Sequence, residues 1–312
     1  MPGVRVEAPA RLHLGMLAVA DDGERRFGGL GVSVGRPAVV LEAEPAAALS
    51  AEGPDAERAL TFAHRCRDAL RLAGGAHLRV VETIPQHVGL GSGTKLALAV
   101  AQALAALEGR DVDAPGLAEA SGRAARSAVG MWTFAVGGLV VEGGHRPGVE
   151  RPAPLLAHHP VPEQWRAVLV VPAAAPGLSG GAEEEAFGRL VPAPERSAVI
   201  AQLVLTSLLP ALVERELDEF GAALTRIQEL VGDSFAEPQG GRFHPRAGPL
   251  VDALLRFGAA GAGQSSWGPA VYGIVGSEAA GRDLARRRED VVGEGSVELV
   301  AFDNGGARLE RS

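Results

Sequence analysis

The run Pro85-Gln86-His87-Val88-Gly89-Leu90-Gly91-Ser92-Gly93-Thr94-Lys95 constrains this chain more than any other, because it leaves an extended segment and enters a helix of alanine and leucine. Gly89, Gly91 and Gly93 permit positive φ and carry no Cβ, so consecutive N–H groups can converge on one oxyanion. Ser92 and Thr94 add hydroxyl donors. The helix predicted from Leu96 onward presents free N–H groups and the positive end of its dipole at the same point, which favours phosphate or pyrophosphate. Leu96, Leu98, Val100, Leu104 and Leu107, with alanines between them, leave it almost no polar face. It is therefore expected to be buried and to aim the loop reproducibly. Lys95 is the only lysine in the chain, every other cationic side chain being arginine, and its place beside the loop marks it as an anion contact. An isolated Gly-x-Gly is most simply a turn; three glycines, two hydroxyls and this lysine point to anion binding. The Gly-Lys-Ser/Thr ending of a Walker A loop is missing, so the site belongs to another class.

The formal net charge of −8 over 312 residues argues against a general nucleic-acid binder, which needs a basic face. One cysteine, Cys66, excludes an internal disulfide or a thiolate metal cluster and receives no role. No run reaches the roughly 18 uninterrupted apolar residues of a membrane span. Arg5, Glu7 and Arg11 interrupt the N-terminus before any long apolar stretch, which does not fit a signal peptide. A soluble cytoplasmic protein with no membrane partner is expected. Alternating strands and helices segregate into two α+β domains, 1–155 and 156–312, with a proline- and histidine-rich seam from Arg146 to Pro162. His158 and His159 in that seam lack partners at metal-ligand spacing. Ser296–Phe302 is expected to be the final strand, and a helix is expected over 115–127.

Pro85–Thr94 and the helix after it resemble the second motif of the GHMP superfamily of small-molecule kinases. Ala8-Pro9-Ala10-Arg11-Leu12-His13-Leu14-Gly15 resembles its N-terminal motif, and Gly261-Ala262-Gly263-Gln264-Ser265-Ser266-Trp267-Gly268-Pro269 stands in the place of its C-terminal glycine-rich motif. The resemblance implies a GHMP-kinase-like two-domain fold, with a ribosomal protein S5 domain 2-like N-terminal domain, a ferredoxin-like C-terminal domain and substrates in the cleft between them. Two kinase features are missing. Gly130 stands where the kinases carry the aspartate that assists the acceptor hydroxyl, and Gly93 where they favour a second serine.

One branch matches better. Arg11–Gly15, Pro85–Thr94, Gly122–Gly130 and Gln264–Pro269 closely resemble the β-ribofuranosylaminobenzene 5′-phosphate synthase family. That resemblance implies a decarboxylating transferase that joins phosphoribosyl pyrophosphate to 4-aminobenzoate or 4-hydroxybenzoate in methanopterin biosynthesis, with magnesium accompanying pyrophosphate, no organic cofactor, and a homodimer.

Such chemistry needs two anion sites and a place for a ring. Pyrophosphate is expected at Gly89, Gly91, Ser92, Gly93, Thr94 and Lys95, where preorganised donors meet developing charge. Arg123 and Arg126, three apart on the expected helix, offer forked donors to a second anion. Arg11 and His13, two apart on a strand, share a face, with Arg11 for benzoate or phosphate and His13 as acid, base or orienter. Gln264, Ser265, Ser266 and Trp267 are expected to wall the cleft, the indole against the ring. Within Glu183-Glu184-Glu185, Glu184 is the candidate magnesium ligand, although a helix first turn alone explains acidic residues there. Two readings compete: an ATP-dependent small-molecule kinase with a substitute carboxylate, and a binding protein that senses phosphorylated metabolites.

Overall fold

The computed structural model describes residues 3–18, 25–149, 151–173, 177–178, 180–287 and 295–311. Alternating apolar residues make Val4–Met16 (β1) and Gly29–Ala46 (β2) two long antiparallel strands, paired from Val4 opposite Ala43 to Met16 opposite Gly29 with register shifts between Pro9 and Ala10 and between His13 and Gly15. Ser50–Glu52 (β3), Gly75–Glu82 (β4), Leu139–Glu142 (β5) and Leu155–His159 (β6) extend this sheet. Four helices lie on it: Ala56–Leu70 (α1), Ser92–Leu107 (α2), Ala114–Ser121 (α3) and Val129–Ala135 (α4). Helix α2 is central, packed against α1, α3, α4, β1 and β2, and Leu96 through Val100 are fully buried. A helix without a polar face has nowhere else to go.

The second sheet holds Arg166–Pro172 (β7), Gly261–Gln264 (β8), Val271–Val275 (β9) and Gly295–Ala301 (β10). Its order is β10-β7-β9-β8 with every pair antiparallel, which is the ferredoxin-like arrangement. The remaining helices are Gly180–Gly188 (α5), Pro194–Leu203 (α6), Leu209–Glu214 (α7), Leu217–Gln239 (α8), Gly248–Arg256 (α9) and Glu278–Arg286 (α10). A π-helical turn at Val204–Leu208 joins α6 to α7.

Two expectations need correction. A division after residue 155 is crossed twice: β6 pairs with β5, and Arg308–Arg311 (β11), a strand beyond the one expected to be last, returns to pair with β1. The helix expected over 115–127 stops at Ser121, because Gly122 takes a left-handed φ of 67° and closes its end. The run Pro194–Glu214 is long and apolar enough to cross a membrane by length and composition, but Gln202, Thr206 and Ser207 interrupt it between Ser197 and Glu214, so the absence of about 18 uninterrupted apolar residues is not overturned. Its inner face, Ile200, Val204, Leu208 and Leu212, is buried in the core.

Gln228 of α8 ties the two sheets together. Its amide Nε2 donates to the Leu14 carbonyl on β1. Its Oε1 accepts the Gln264 N–H of edge strand β8 at 2.8 Å, and Thr225 accepts the Ala262 N–H of the same strand at 3.1 Å. The side chain is 4 % exposed, so water cannot replace these bonds. We predict that Gln228→Leu loses about 2–4 kcal/mol of unfolding free energy in denaturant titration, two buried groups being left without partners. A loss below about 1 kcal/mol would contradict this role.

Candidate functional site

A cleft between the sheets is lined by Arg11, His13 and Met16 of β1, Thr94 of α2, the irregular segment Gly122–Ser127, Glu183 and Phe187 of α5, α8, and Ser266 and Trp267 beyond β8. One side is cationic and the other aromatic.

The cationic side is built over the first turn of α2. Gly91, φ 81°, sets the turn that starts the helix, and a methyl group there would lie 3.2 Å from the Arg11 side chain. A methyl on Gly93 would lie 3.1 Å from Nη2 of Arg58 and 3.3 Å from Nη2 of Arg123. Three guanidinium groups thus cover a helix N-terminus that is itself a positive dipole end. Arg65 lies against Gly122, and Arg126 pairs with Glu183 at 3.1 Å. Among the described residues, Asp55, 3.2 Å from Arg58, and Glu183 are the two carboxylates set against these five guanidinium groups. Burial pushes the Arg11 guanidinium down to about 10. Burial, then the charges of Arg58 and Arg65, lower Arg123. Like charge gathered at a positive helix end is chemistry that can hold a polyanion.

Arg58 and Arg65 were not singled out in the sequence. They lie on α1 with Phe62 between them, at i, i+4 and i+7, and Arg123 stacks over the Phe62 ring at 4.8 Å. That face was the available signal. Arg123 and Arg126 do reach the cleft, but from the irregular segment after α3 and not from one helical face, since Gly122 and Ala124, φ 62°, turn the chain there.

Lys95 is a correction. It is fully buried, its Nζ donates to Thr133 at 3.1 Å, and it does not line the cleft. The helix begins at Ser92, four residues earlier than the Leu96 start, so position 95 faces the interior. Burial and the Arg11 charge hold its ammonium well below the usual range, with Asp303 opposing. Gly89 serves as a joint: its carbonyl accepts from Arg11 and from Ser265 at 2.6 Å, and at φ 92° a methyl would strike the Ser265 carbonyl at 2.1 Å. Ser92 is buried in the first turn, and of the loop residues only Thr94 lines the cleft.

Ser265 also lies behind the wall, its hydroxyl accepting the His13 N–H at 2.9 Å. Gln264 lines the cleft, but its amide is spent on the protein, accepting from His244 N at 2.7 Å and donating to the Ser266 carbonyl at 2.8 Å. Ser266 is exposed at the mouth. Trp267 meets Phe235 edge-on at 4.7 Å and Phe187 at 5.5 Å, and Phe187 meets Phe27 at 5.4 Å. Aromatic residues are only 4 % of the chain, and this gathering gives the wall a surface that can take a flat apolar group.

Glu184 is exposed and away from the cleft; Glu183 of the same turn lies within it. Among the described residues no group of three or more His, Cys, Asp or Glu side chains gathers to hold a metal. Cys66 is buried and its thiol pushed up to about 12, which suits a packing residue.

We predict that Arg123→Gln weakens binding of inorganic pyrophosphate about 10–100-fold in calorimetry, the loss of one or two charge-assisted hydrogen bonds, while the free protein melts no lower than wild type. Unchanged affinity with a lower melting temperature would make Arg123 structural.

Residues 57–137 match the GHMP kinases N terminal domain and residues 208–291 the GHMP kinases C terminal family. Among solved structures, homoserine kinase from Cytophaga hutchinsonii superposes with a TM-score of 0.70 at 17 % identity, over 99 % of this chain and 98 % of that one. L. major mevalonate kinase gives 0.68 at 12 % identity, over 96 % of each chain. At such identities the likeness shows the fold alone. The β-ribofuranosylphenol 5′-phosphate synthase of Archaeoglobus fulgidus is 33 % identical over 91 % of both chains, and that of Methanothermobacter thermautotrophicus 29 % identical over 97 % of both. With its GHMP fold and near full-length likeness to these enzymes, the chain belongs to the β-ribofuranosylphenol 5′-phosphate synthase family.

Proposed function

We propose that this enzyme condenses phosphoribosyl pyrophosphate with 4-hydroxybenzoate or 4-aminobenzoate, releasing carbon dioxide and pyrophosphate and forming the ribofuranosyl-arene 5′-phosphate of methanopterin biosynthesis. The observation that carries this reading is the crowd of guanidinium groups over the N-terminus of α2, facing an aromatic wall. The pyrophosphate group sits on the amides of Gly91–Thr94 under Arg58 and Arg123, where charge grows as it departs from C1. Arg126 and Arg11 border the same cleft and take the second anion, the 5′-phosphate or the carboxylate of the ring. Trp267 and Phe235 stack the benzoate. No covalent enzyme intermediate is needed, because the ring carbon bearing the carboxylate attacks C1 and loss of carbon dioxide restores aromaticity. Magnesium arrives with the pyrophosphate oxygens as part of the substrate, and no organic cofactor is invoked.

The kinase reading fits this geometry poorly. Gly130 carries no carboxylate at the position where kinases of this fold carry one, and a methyl there would lie 3.0 Å from the Thr94 side chain, a tight fit. A side chain at Gly93 would displace Arg58 or Arg123. A homodimer is proposed with the transfer reading; Val199 of α6, Leu205 of the π-helical turn and Val213 of α7 are exposed and supply an apolar face that supports it.

Incubating the enzyme with phosphoribosyl pyrophosphate, magnesium and either ring should release carbon dioxide and pyrophosphate in equal amounts. ATP turnover on alcohol substrates without decarboxylation would overturn the assignment in favour of a kinase. Saturable binding without product would favour a sensor.

A further inference from the structure

Behind the cleft, polar groups continue into the fold. His13 of β1 lines the cleft, and its Nε2 lies 3.2 Å from the Ser127 hydroxyl. Ser127 in turn hydrogen-bonds the carboxylate of Glu142 at the end of β5. Glu142 is fully buried, and its two oxygens accept the N–H groups of Ala128 at 3.3 Å and Gly144 at 2.8 Å. A carboxylate taken out of water is costly, and no arginine pairs with it among the described residues. Glycines make room for the line: a methyl on Gly29 would lie 3.1 Å from Glu142 Oε1 and 3.5 Å from His13 Nε2, and one on Gly31 would strike Val129 at 2.4 Å. Structural packing alone does not call for a buried acid joined through a hydroxyl to a cleft imidazole.

We propose that Glu142, Ser127 and His13 form a proton-exchange line that takes the para-hydroxyl proton of the acceptor ring during attack and returns it after carbon dioxide leaves. The proposal rests on the ribosyl-transfer reading. The carboxylate accepts the Ser127 hydroxyl proton, so Ser127 Oγ accepts from His13 Nε2, and Nδ1 is the ring nitrogen left for a ligand. As the ring carbon attacks C1, the bonding pair leaves with pyrophosphate. The phenolic proton passes to Nδ1, the Nε2 proton to Ser127, and the Ser127 proton to Glu142, leaving a dienone that still carries the carboxylate. Departure of carbon dioxide returns its carbon–carbon pair to the ring as a phenolate, and the proton travels back. An amino group needs no such loan, since its nitrogen regains its lone pair when carbon dioxide departs.

The surroundings suit those roles. Burial pushes the Glu142 carboxyl up to about 7 against its hydrogen bonds from Gly144, Ala128 and Ser127, which makes it a proton store near neutrality. Burial and then the Arg11 charge push the imidazole down to about 3, so His13 passes protons on without holding them. Of the neighbouring charged groups, Arg25 reaches only the Gly144 carbonyl, at 2.8 Å, Arg126 pairs with Glu183, and His145 is lowered by burial and stays neutral. Gly29 of β2 and Val129 of α4 bring no charge.

The test compares 4-hydroxybenzoate with its 3,5-difluoro analogue, whose phenol is already ionised near neutral pH, in the wild type, Glu142→Gln and Ser127→Ala. Both variants should lose about 10²-fold in kcat on the parent ring with KM little changed, and no more than about threefold on the fluorinated ring. The rise of wild-type kcat through about pH 7 on the parent ring, as Glu142 ionises and becomes an acceptor, should flatten in both. Ser127→Ala keeps the test decisive if the amide left unpaired by Glu142→Gln unfolds the protein. Equal losses on both rings, or none on either, overturn the line. Failure of the wild type to turn over any ring overturns the transfer reading and the line with it.

Discussion

Arginine gathered on a helix N-terminus is the constraint around which this molecule is arranged. Arg11, Arg58 and Arg123 come from β1, α1 and the segment after α3, and all three cover the first turn of α2, where the backbone already presents unpaired donors. Such an arrangement is held against its own repulsion. Burial lowers the proton affinity of both Arg11 and Arg123, and for Arg123 the charges of Arg58 and Arg65 add to it. The rest of the fold supplies the compensation: α2 is locked by burial on every side, and the β1–β8 junction is stitched by Gln228. A polyanion relieves the repulsion, so binding energy is available where a leaving group accumulates charge.

The same arrangement explains how a kinase fold accommodates a different reaction. Phosphoryl transfer on this scaffold needs a carboxylate near the acceptor hydroxyl and a loop able to handle metal and phosphate together. Gly130, packed under Thr94, supplies no carboxylate for the first, and guanidinium groups lie above Gly93 in the loop. Under the proposed reading, cationic side chains meet the departing diphosphate there. The aromatic wall of Trp267, Phe187 and Phe235 then gives the opposite side of the cleft a ring to hold.

Much of this was legible in the chain. Glycine spacing and an all-apolar helix located the loop, and period-two alternation placed Arg11 and His13 on the cleft face of β1. Lys95 misled because the helix start was set at Leu96: with Ser92 as the first helical residue, position 95 falls on the same buried side as Ala99. Arg58 and Arg65 escaped because arginine on an amphipathic helix reads as solvated surface until a neighbouring loop is known to cross it. Glu142 escaped because a glutamate ending a strand between glycine pairs looks like a turn residue; only the pairing of β5 with β2 buries it beside His13. Tertiary context decided each of these, and local pattern could not.

A crystal structure of the enzyme with phosphoribosyl pyrophosphate and no acceptor ring tests the central claim most directly. Diphosphate oxygens should lie about 2.7–3.2 Å from the N–H groups of Gly91–Thr94 and from the guanidinium groups of Arg58 and Arg123. Diphosphate bound elsewhere, with these donors left to one another, would contradict the account.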